Sequence, residues 1–254
     1  MMDAKAEPVT LRKLEAADLK ASLGLGLQDF RAAPWIGAWF SCAFVLSGLL
    51  ITYITYVTGH TFWLVLAVLG FPLLGTLAAV GFYEISKRRD AGEALVLSDI
   101  LAQVWGHRGG QLPWLAAIIV VIFLFWFFLG HMIFALFLGL SPMTNVSNSL
   151  EVFLTTQGLS MLAFGTAVGA AFAMLVFSVS VFGMPMLIDR EVDFITAMLT
   201  SLSAVMARPV LFLVWGLVIA ALTLLSMLPL FLGLFVTMPV LGHATWHLYR
   251  RLAE

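Results

Sequence analysis

The sequence predicts an all-α fold, a polytopic transmembrane bundle of six spans built as three parallel two-helix repeats with interfacial helices. Three observations predict it. Of the 254 residues, 62% are hydrophobic and 11% charged, where a soluble domain holds about 45–50% and about 25%. The apolar residues form runs long enough for a hydrocarbon layer about 30 Å thick, which takes about 20 helical residues. All 13 Lys and Arg residues fall on one side of those runs. Too few charges remain to cover a globule of this size, so lipid is the solvent for most of the surface. Mean hydropathy is +1.04.

Residues 1–33 are polar and mixed in charge, with no apolar core before Trp35. They read as a retained cytoplasmic segment rather than a cleaved leader. Residues 34–254 form the membrane domain. Its spans are expected at about 34–57, 62–83, 112–138, 159–187, 209–227 and 229–247. The stretch 209–247 is too long for one crossing, and Pro229 in "SMLPLF" is the natural break. A short re-entrant piece is the alternative to one of these last two spans.

Orientation follows from charge. Six spans leave 1–33, 84–111, 188–208 and 248–254 on one side, and those stretches hold every Lys and Arg. Cations accumulate in short cytoplasmic loops, so both termini are expected in the cytoplasm and the chain in the inner membrane. Anionic headgroups at that face are the expected lipid partners. The net charge of -1 gives no reason to expect a nucleic-acid partner.

"GFPLLG" (Gly70–Gly75), "GMPMLI" (Gly183–Ile188) and "MPVLG" (Met238–Gly242) echo one another, each ahead of a charged stretch. Pro72, Pro185 and Pro239 are therefore expected to bend the second helix of each pair. Pro34, Pro113 and Pro209 mark the entry of each first helix. In 94–105 and 193–206, apolar residues recur at helical spacing, which suits helices lying on the bilayer surface or capping the bundle from below. The register is uneven: Pro185 stands only five residues before Arg190.

Candidate functional positions are few. Gly165, Gly169 and Ala173 form an i, i+4, i+8 strip that lets helices pack closely. His243 and His247 are i, i+4, a spacing able to hold a metal, but no matching Asp, Glu or Cys pair accompanies them, so neither metal nor cofactor is expected. His131 lies inside a span, where an ionisable group is costly. A packing role suits it better than haem ligation with His243, because the two differ in depth by roughly 10 Å. Glu84, Asp189, Arg190 and Glu191, with Asp193 and Arg208, are expected to converge under the bundle as a gate, a docking patch or a solvated rim. Cys42, the single cysteine, rules out an internal disulfide. Walker, G-x-S-x-G, H-E-x-x-H and dinucleotide motifs are absent. "NVS" at Asn145–Ser147 is a short sequon that carries no weight.

"DFRAAPWIGAWF" (Asp29–Phe40) and "GFPLLGTLAAVGFYEISKRRDAGEAL" (Gly70–Leu95) resemble a bacterial family of integral membrane proteins, domain of unknown function 2189, over nearly the whole chain. The resemblance implies a six-span inner-membrane protein and brings no catalytic residues. The expected role is a non-catalytic accessory, assembly or scaffolding component with a membrane-protein partner. The alternatives are a channel or transporter for a small or amphiphilic solute, and an accessory subunit of a respiratory oxidase.

Overall fold

A computed structural model describes residues 11–59, 64–139 and 151–253, and every regular element among them is helical. In chain order these are α1 (Ala16–Ala32), α2 (Pro34–Thr58), α3 (Leu64–Asp90), α4 (Leu97–Gly106), α5 (Leu112–Leu138), α6 (Glu151–Leu154), α7 (Thr156–Ser180), α8 (Gly183–Asp189), α9 (Phe194–Ala207), α10 (Pro209–Met227) and α11 (Leu234–Leu252). A 3-10 turn, His107–Gly109, joins α4 to α5. The sequon and most of the loop after α5 lie outside the described residues.

Among the described residues, four stretches are long and apolar enough to cross a membrane: Pro34–Thr58, Leu112–Leu138, Thr156–Asp189 and Pro209–Met227. The α3 helix has comparable length, 27 residues. Prolines open α2, α5 and α10 in their first turn, where the missing N–H costs no hydrogen bond. A shorter helix precedes each of these three: α1, α4 and α9.

The side chains exposed on α2 give a measure of depth. Trp35 and Trp39 are exposed at its start, and Tyr53 and Tyr56 at its end. Amphipathic aromatics favour the two membrane–water interfaces. Trp35 and Tyr56 are 21 residues apart, about 31 Å of helix, which matches the hydrocarbon thickness. Trp105 and Trp114 are also exposed, close to the start of α5. The Arg108 guanidinium sits 4.6 Å over the Trp105 ring.

The packed core lies at the basic end. Fully buried Ile85, Ile100, Leu115, Phe182, Phe212, Trp215, Trp246 and Tyr249 join the last turns of α3 and α11, the first turns of α5 and α10, and α4 and α8. Away from that end, Phe125, Phe128, Met132 and Leu136 of α5 and Leu224 and Leu225 of α10 are exposed. Apolar side chains gain nothing by leaving lipid for one another, so the tight core forms where water is the competing solvent.

Several expectations change. The fourth span does not run as one helix over 159–187. It breaks after Ser180 and restarts as α8. The Ser201 hydroxyl donates to the Ser178 carbonyl at 2.7 Å and accepts the Phe182 N–H at 3.1 Å, satisfying groups at the break. Pro185 therefore sits in the first turn of α8 and bends no continuous helix, which accounts for its uneven register. The helix expected at 229–247 begins only at Leu234. Pro229 lies in the turn before it, and there Leu230 and Phe231 adopt left-handed φ of 51° and 65°, costing about 1 kcal/mol or more each. In α9 the buried face is Ala197, Ser201 and Val205, while Ile195, Leu199 and Met206 point outward. That helix both caps the bundle and turns an apolar face to its surroundings.

Residues 11–33, expected only to be polar, include a helix that docks on α11. Its buried face carries Asp18, Ser22, Gly26 and Asp29, spaced along one helical stripe. A methyl on Gly26 would lie 2.5 Å from the Val240 carbonyl and 2.7 Å from the Ala244 nitrogen. Backbone cannot yield to a side chain there. Gly26→Ala is expected to destabilise by about 1–3 kcal/mol, read as a fall in thermal midpoint in detergent. Gly24, with nothing within 4 Å of a built methyl, supplies the control: Gly24→Ala should leave the midpoint unchanged or raised.

Candidate functional site

The densest polar cluster is at the basic end, where α1, α3 and α11 meet. Asp29 is 2% exposed. Its Oδ2 accepts from the Ser86 hydroxyl at 2.6 Å and from His247 Nε2 at 2.7 Å. Its Oδ1 accepts from Arg89. His243, fully buried, places Nδ1 2.9 Å from both Ser86 Oγ and the Phe82 carbonyl. A carbonyl only accepts, so Nδ1 carries the hydrogen and Nε2 of the neutral ring is an acceptor. Among the described residues, His243 Nε2 and Ser22 Oγ are buried without a hydrogen-bond partner.

Burial by itself would raise the Asp29 pKa. The hydrogen bonds from His247 and Ser86 outweigh it and hold the carboxyl below its ordinary value. The group is therefore an ionised anchor rather than a proton store at neutral pH.

A second cluster closes the free ends of α1 and α11. Asp18 accepts from Arg12 at 2.6 and 2.9 Å and from Arg251 at 3.2 Å. The Arg12 backbone N–H donates to the Leu252 carbonyl and its side chain to the Arg251 carbonyl, both at 2.9 Å. Arg190 donates to the Ala253 carbonyl at 3.0 Å. Cations thus cover the last carbonyls of α11, the negative end of its dipole.

The expected inner cluster divides among separate partners. Glu84 is buried and pairs within its own helix with Arg88 at 2.9 Å. Asp189 accepts from the Tyr249 hydroxyl at 2.9 Å and from Arg250 at 3.0 Å. Asp193 caps α9 through Thr196. Arg208 and Glu191 are exposed. They do not converge because α3 and the loop after α8 present their acids to different neighbours. Asp189, Arg190 and Glu191 do line one groove of about 650 Å³, with Lys87, His107 and Gln111 opposite. Burial holds the His107 pKa below its ordinary value.

His131 packs against its own helix, its ring centroid 4.2 Å from that of Phe127. It is exposed on α5, and its Nδ1 stands 2.8 Å from the Phe127 carbonyl, the helix's own backbone. His131 lies about 28 Å along α5, whereas His243 is in the basic-end core, so the two are not brought together. Among the described residues no group of three or more His, Cys, Asp or Glu converges as a metal site. The small strip on α7 works in part: Gly165 faces Ile133 and Gly169 faces Trp126 on α5, while Ala173 is exposed. Pro239 packs its ring against Gly37 of α2.

Sequence reasoning missed Asp29, Ser86 and Asp18 as site residues. The available signal was the stripe Asp18, Ser22, Gly26, Asp29, with Arg12 just ahead of it.

Residues 64–189, from the first residue of α3 to the last of α8, match the model of a family described as a predicted integral membrane protein, DUF2189. The match carries the "GFPLLG…SKRRD" motif and covers a shorter stretch than the near-complete one expected. No curated protein and no solved structure matches the chain. The chain is an integral membrane protein with several membrane-spanning helices.

Two measurements test the clusters. Asp29→Ala leaves Arg89, Ser86 and His247 facing an empty position and is expected to cost about 3–5 kcal/mol, read by chemical denaturation in detergent; Asp29→Asn should lose less. The Arg12 guanidinium holds Asp18 at about 2, below its ordinary value of 3.8. A depressed carboxylate stabilises above its unfolded pKa and loses that contribution as pH falls through its folded pKa. Protection of α1 amides from hydrogen exchange should therefore hold above about pH 4 and decline between about pH 4 and 2. Asp18→Asn should flatten that part of the profile.

Proposed function

We propose, taking the match of residues 64–189 to an integral membrane family as the premise, that the chain is a non-catalytic accessory or assembly component of an inner-membrane complex. In this reading α2 with α3 and α5 with α7 form two in–out–in pairs, and α10 with α11 forms a third hairpin that enters from the same side and turns within the layer. Both termini face the cytoplasm, because the sequence stretches 1–33, 84–111, 188–208 and 248–254 hold all 13 Lys and Arg residues. Enzymatic activity, a metal and a cofactor have no part in it.

The observation that supports this reading is the state of the basic end. Three of its acidic groups are engaged by named partners: Asp29 by Ser86, Arg89 and His247, Asp18 by Arg12 and Arg251, and Asp189 by Tyr249 and Arg250. The clusters tie α1, α3, α8 and α11 into one rigid cap. A catalytic acid or base needs a free site beside it for the reacting atom. A rigid cap joined to lipid-facing helices instead suits a component that holds a fixed surface against another protein. Anionic lipid headgroups would meet Arg31 and Arg108 around its rim, both of them exposed.

Native mass spectrometry after mild detergent extraction tests the role. A partner of fixed stoichiometry is expected, retained in the wild type and lost on weakening the cap with Asp29→Ala. A chain that stays without a partner at every detergent concentration overturns the accessory reading. Topology has its own test. Reporters fused after Asn145 and after Ala253 should report opposite compartments; the same compartment for both would overturn the orientation.

A further inference from the structure

The last helical hairpin does not rise as far as α2. The two helices run antiparallel: a methyl on Gly37 would lie 3.0 Å from the Pro239 ring, and one on Gly48 would lie 3.0 Å from the Phe231 ring. Gly48 is about 16 Å along α2 from Gly37 and about 12 Å short of Tyr56. The turn carrying Phe231 thus stands near the middle of the layer framed by Trp35 and Tyr56. Leu228, Leu230 and Leu232 on that turn are exposed, as suits surroundings of hydrocarbon.

Beneath the turn is a cavity of about 370 Å³. Phe71 and Ala79 of α3 form one wall and Thr223 of α10 the other, with Met238 and Thr245 of α11 between and Phe231 as the roof. Phe71 stacks on Phe44 of α2 at 5.7 Å. The lower end is at the level of Thr245, one turn past Gly242, whose backbone abuts Phe82. The α11 lining of the cavity runs from Thr245 to Leu234, 11 residues or about 16 Å of helix, a height close to one leaflet of a 30 Å hydrocarbon layer. No ionisable side chain lines it. The Thr245 hydroxyl is taken up by the Leu241 carbonyl at 2.8 Å.

We propose that this cavity is a binding site for one hydrocarbon chain of a lipid from the leaflet at the Trp35 end, with the α10–α11 turn as its roof. Depth selects the occupant. The cavity opens among lipid-level helices, its height is that of one leaflet, and its lining offers nothing to a headgroup. Its volume is in the range of small-molecule sites. The headgroup stays at the Trp35 level, outside the cavity. The site is independent of the accessory role proposed above and depends only on the depth frame set by α2.

Full-length protein reconstituted in phosphatidylethanolamine–phosphatidylglycerol vesicles, doped with a lipid carrying a diazirine midway along one acyl chain, gives the test. After illumination and digestion, lipid adducts should concentrate on residues 71–82, 219–231 and 238–245, several-fold above those on the outward residues 121–128 of α5. Ala79→Phe and Thr223→Phe should each cut the cavity adducts at least fivefold. Leu217→Phe, on an exposed face of α10, should leave them unchanged. Adducts on the cavity segments no more frequent than on 121–128 in the wild type would overturn the proposal whether or not the filled variants fold. So would adducts that persist undiminished in a monodisperse filled variant.

Discussion

The contact on which the remaining architecture depends is the backbone approach of α1 to α11 across Gly26. It brings the Asp29 carboxylate within reach of His247, Ser86 and Arg89, and the Asp18 carboxylate within reach of Arg251. Each of these bonds is strong because its carboxylate is sheltered from water, and each would be costly to leave half made. The glycine and the carboxylates are therefore one device. Without the close approach the acids would sit in an open groove, and without the acids the groove would have no specific occupant. The last two turns of α3 and α11 continue past the Trp35 level because α1 is there to cover them.

This arrangement follows from what a bilayer withholds. Between membrane helices there is no hydrophobic drive, and association depends on close packing and polar bonds. The helices accordingly meet through small residues: Gly81 beside Phe40, Gly242 beside Phe82, Gly169 beside Trp126. Large apolar side chains are left outward on α5 and α10. At the basic end water returns as competitor, and the buried aromatics and the ion-paired clusters collect there. One chain uses two packing regimes, and the change between them falls at the ring of exposed tryptophans.

Much of the membrane part was legible in the sequence. Apolar run length marked α2, α5, α7 and α10, the proline in "SMLPLF" marked the break after α10, and the resemblance located the segment matched by the family. These signals are local: each depends on residues adjacent in the chain. What escaped depends on pairs far apart. Asp29 gains its meaning only beside His247, and Ser201 only beside the break at Ser178–Phe182. His243 and His247 stood out by spacing, yet their role comes from α1 and α3. Glu84 and Asp189 looked alike as inner acids, but one bonds within its helix and the other across to α11. Helical periodicity marked α9, but the stripe of small residues by which it packs, Ala197 and Ser201, is one that a count of large apolar residues overlooks.

Pro239, Pro185 and Pro229 show how one residue type serves different ends. In α11 the ring of Pro239 is a packing surface for Gly37, and in α8 Pro185 opens a helix. Pro229 meets the harshest demand, a turn at the level of lipid hydrocarbon, where an unpaired backbone group costs several kcal/mol. Leu228, Phe231, Leu232 and Leu234 donate their N–H groups to the carbonyls of Leu225, Met227, Pro229 and Phe231. Proline adds no donor of its own to this turn, so it bends the chain while reducing the number of groups to be satisfied. The left-handed φ values at Leu230 and Phe231 are the strain that remains. They are tolerated because the tight turn places the Phe231 ring against Gly48, where no side chain blocks it.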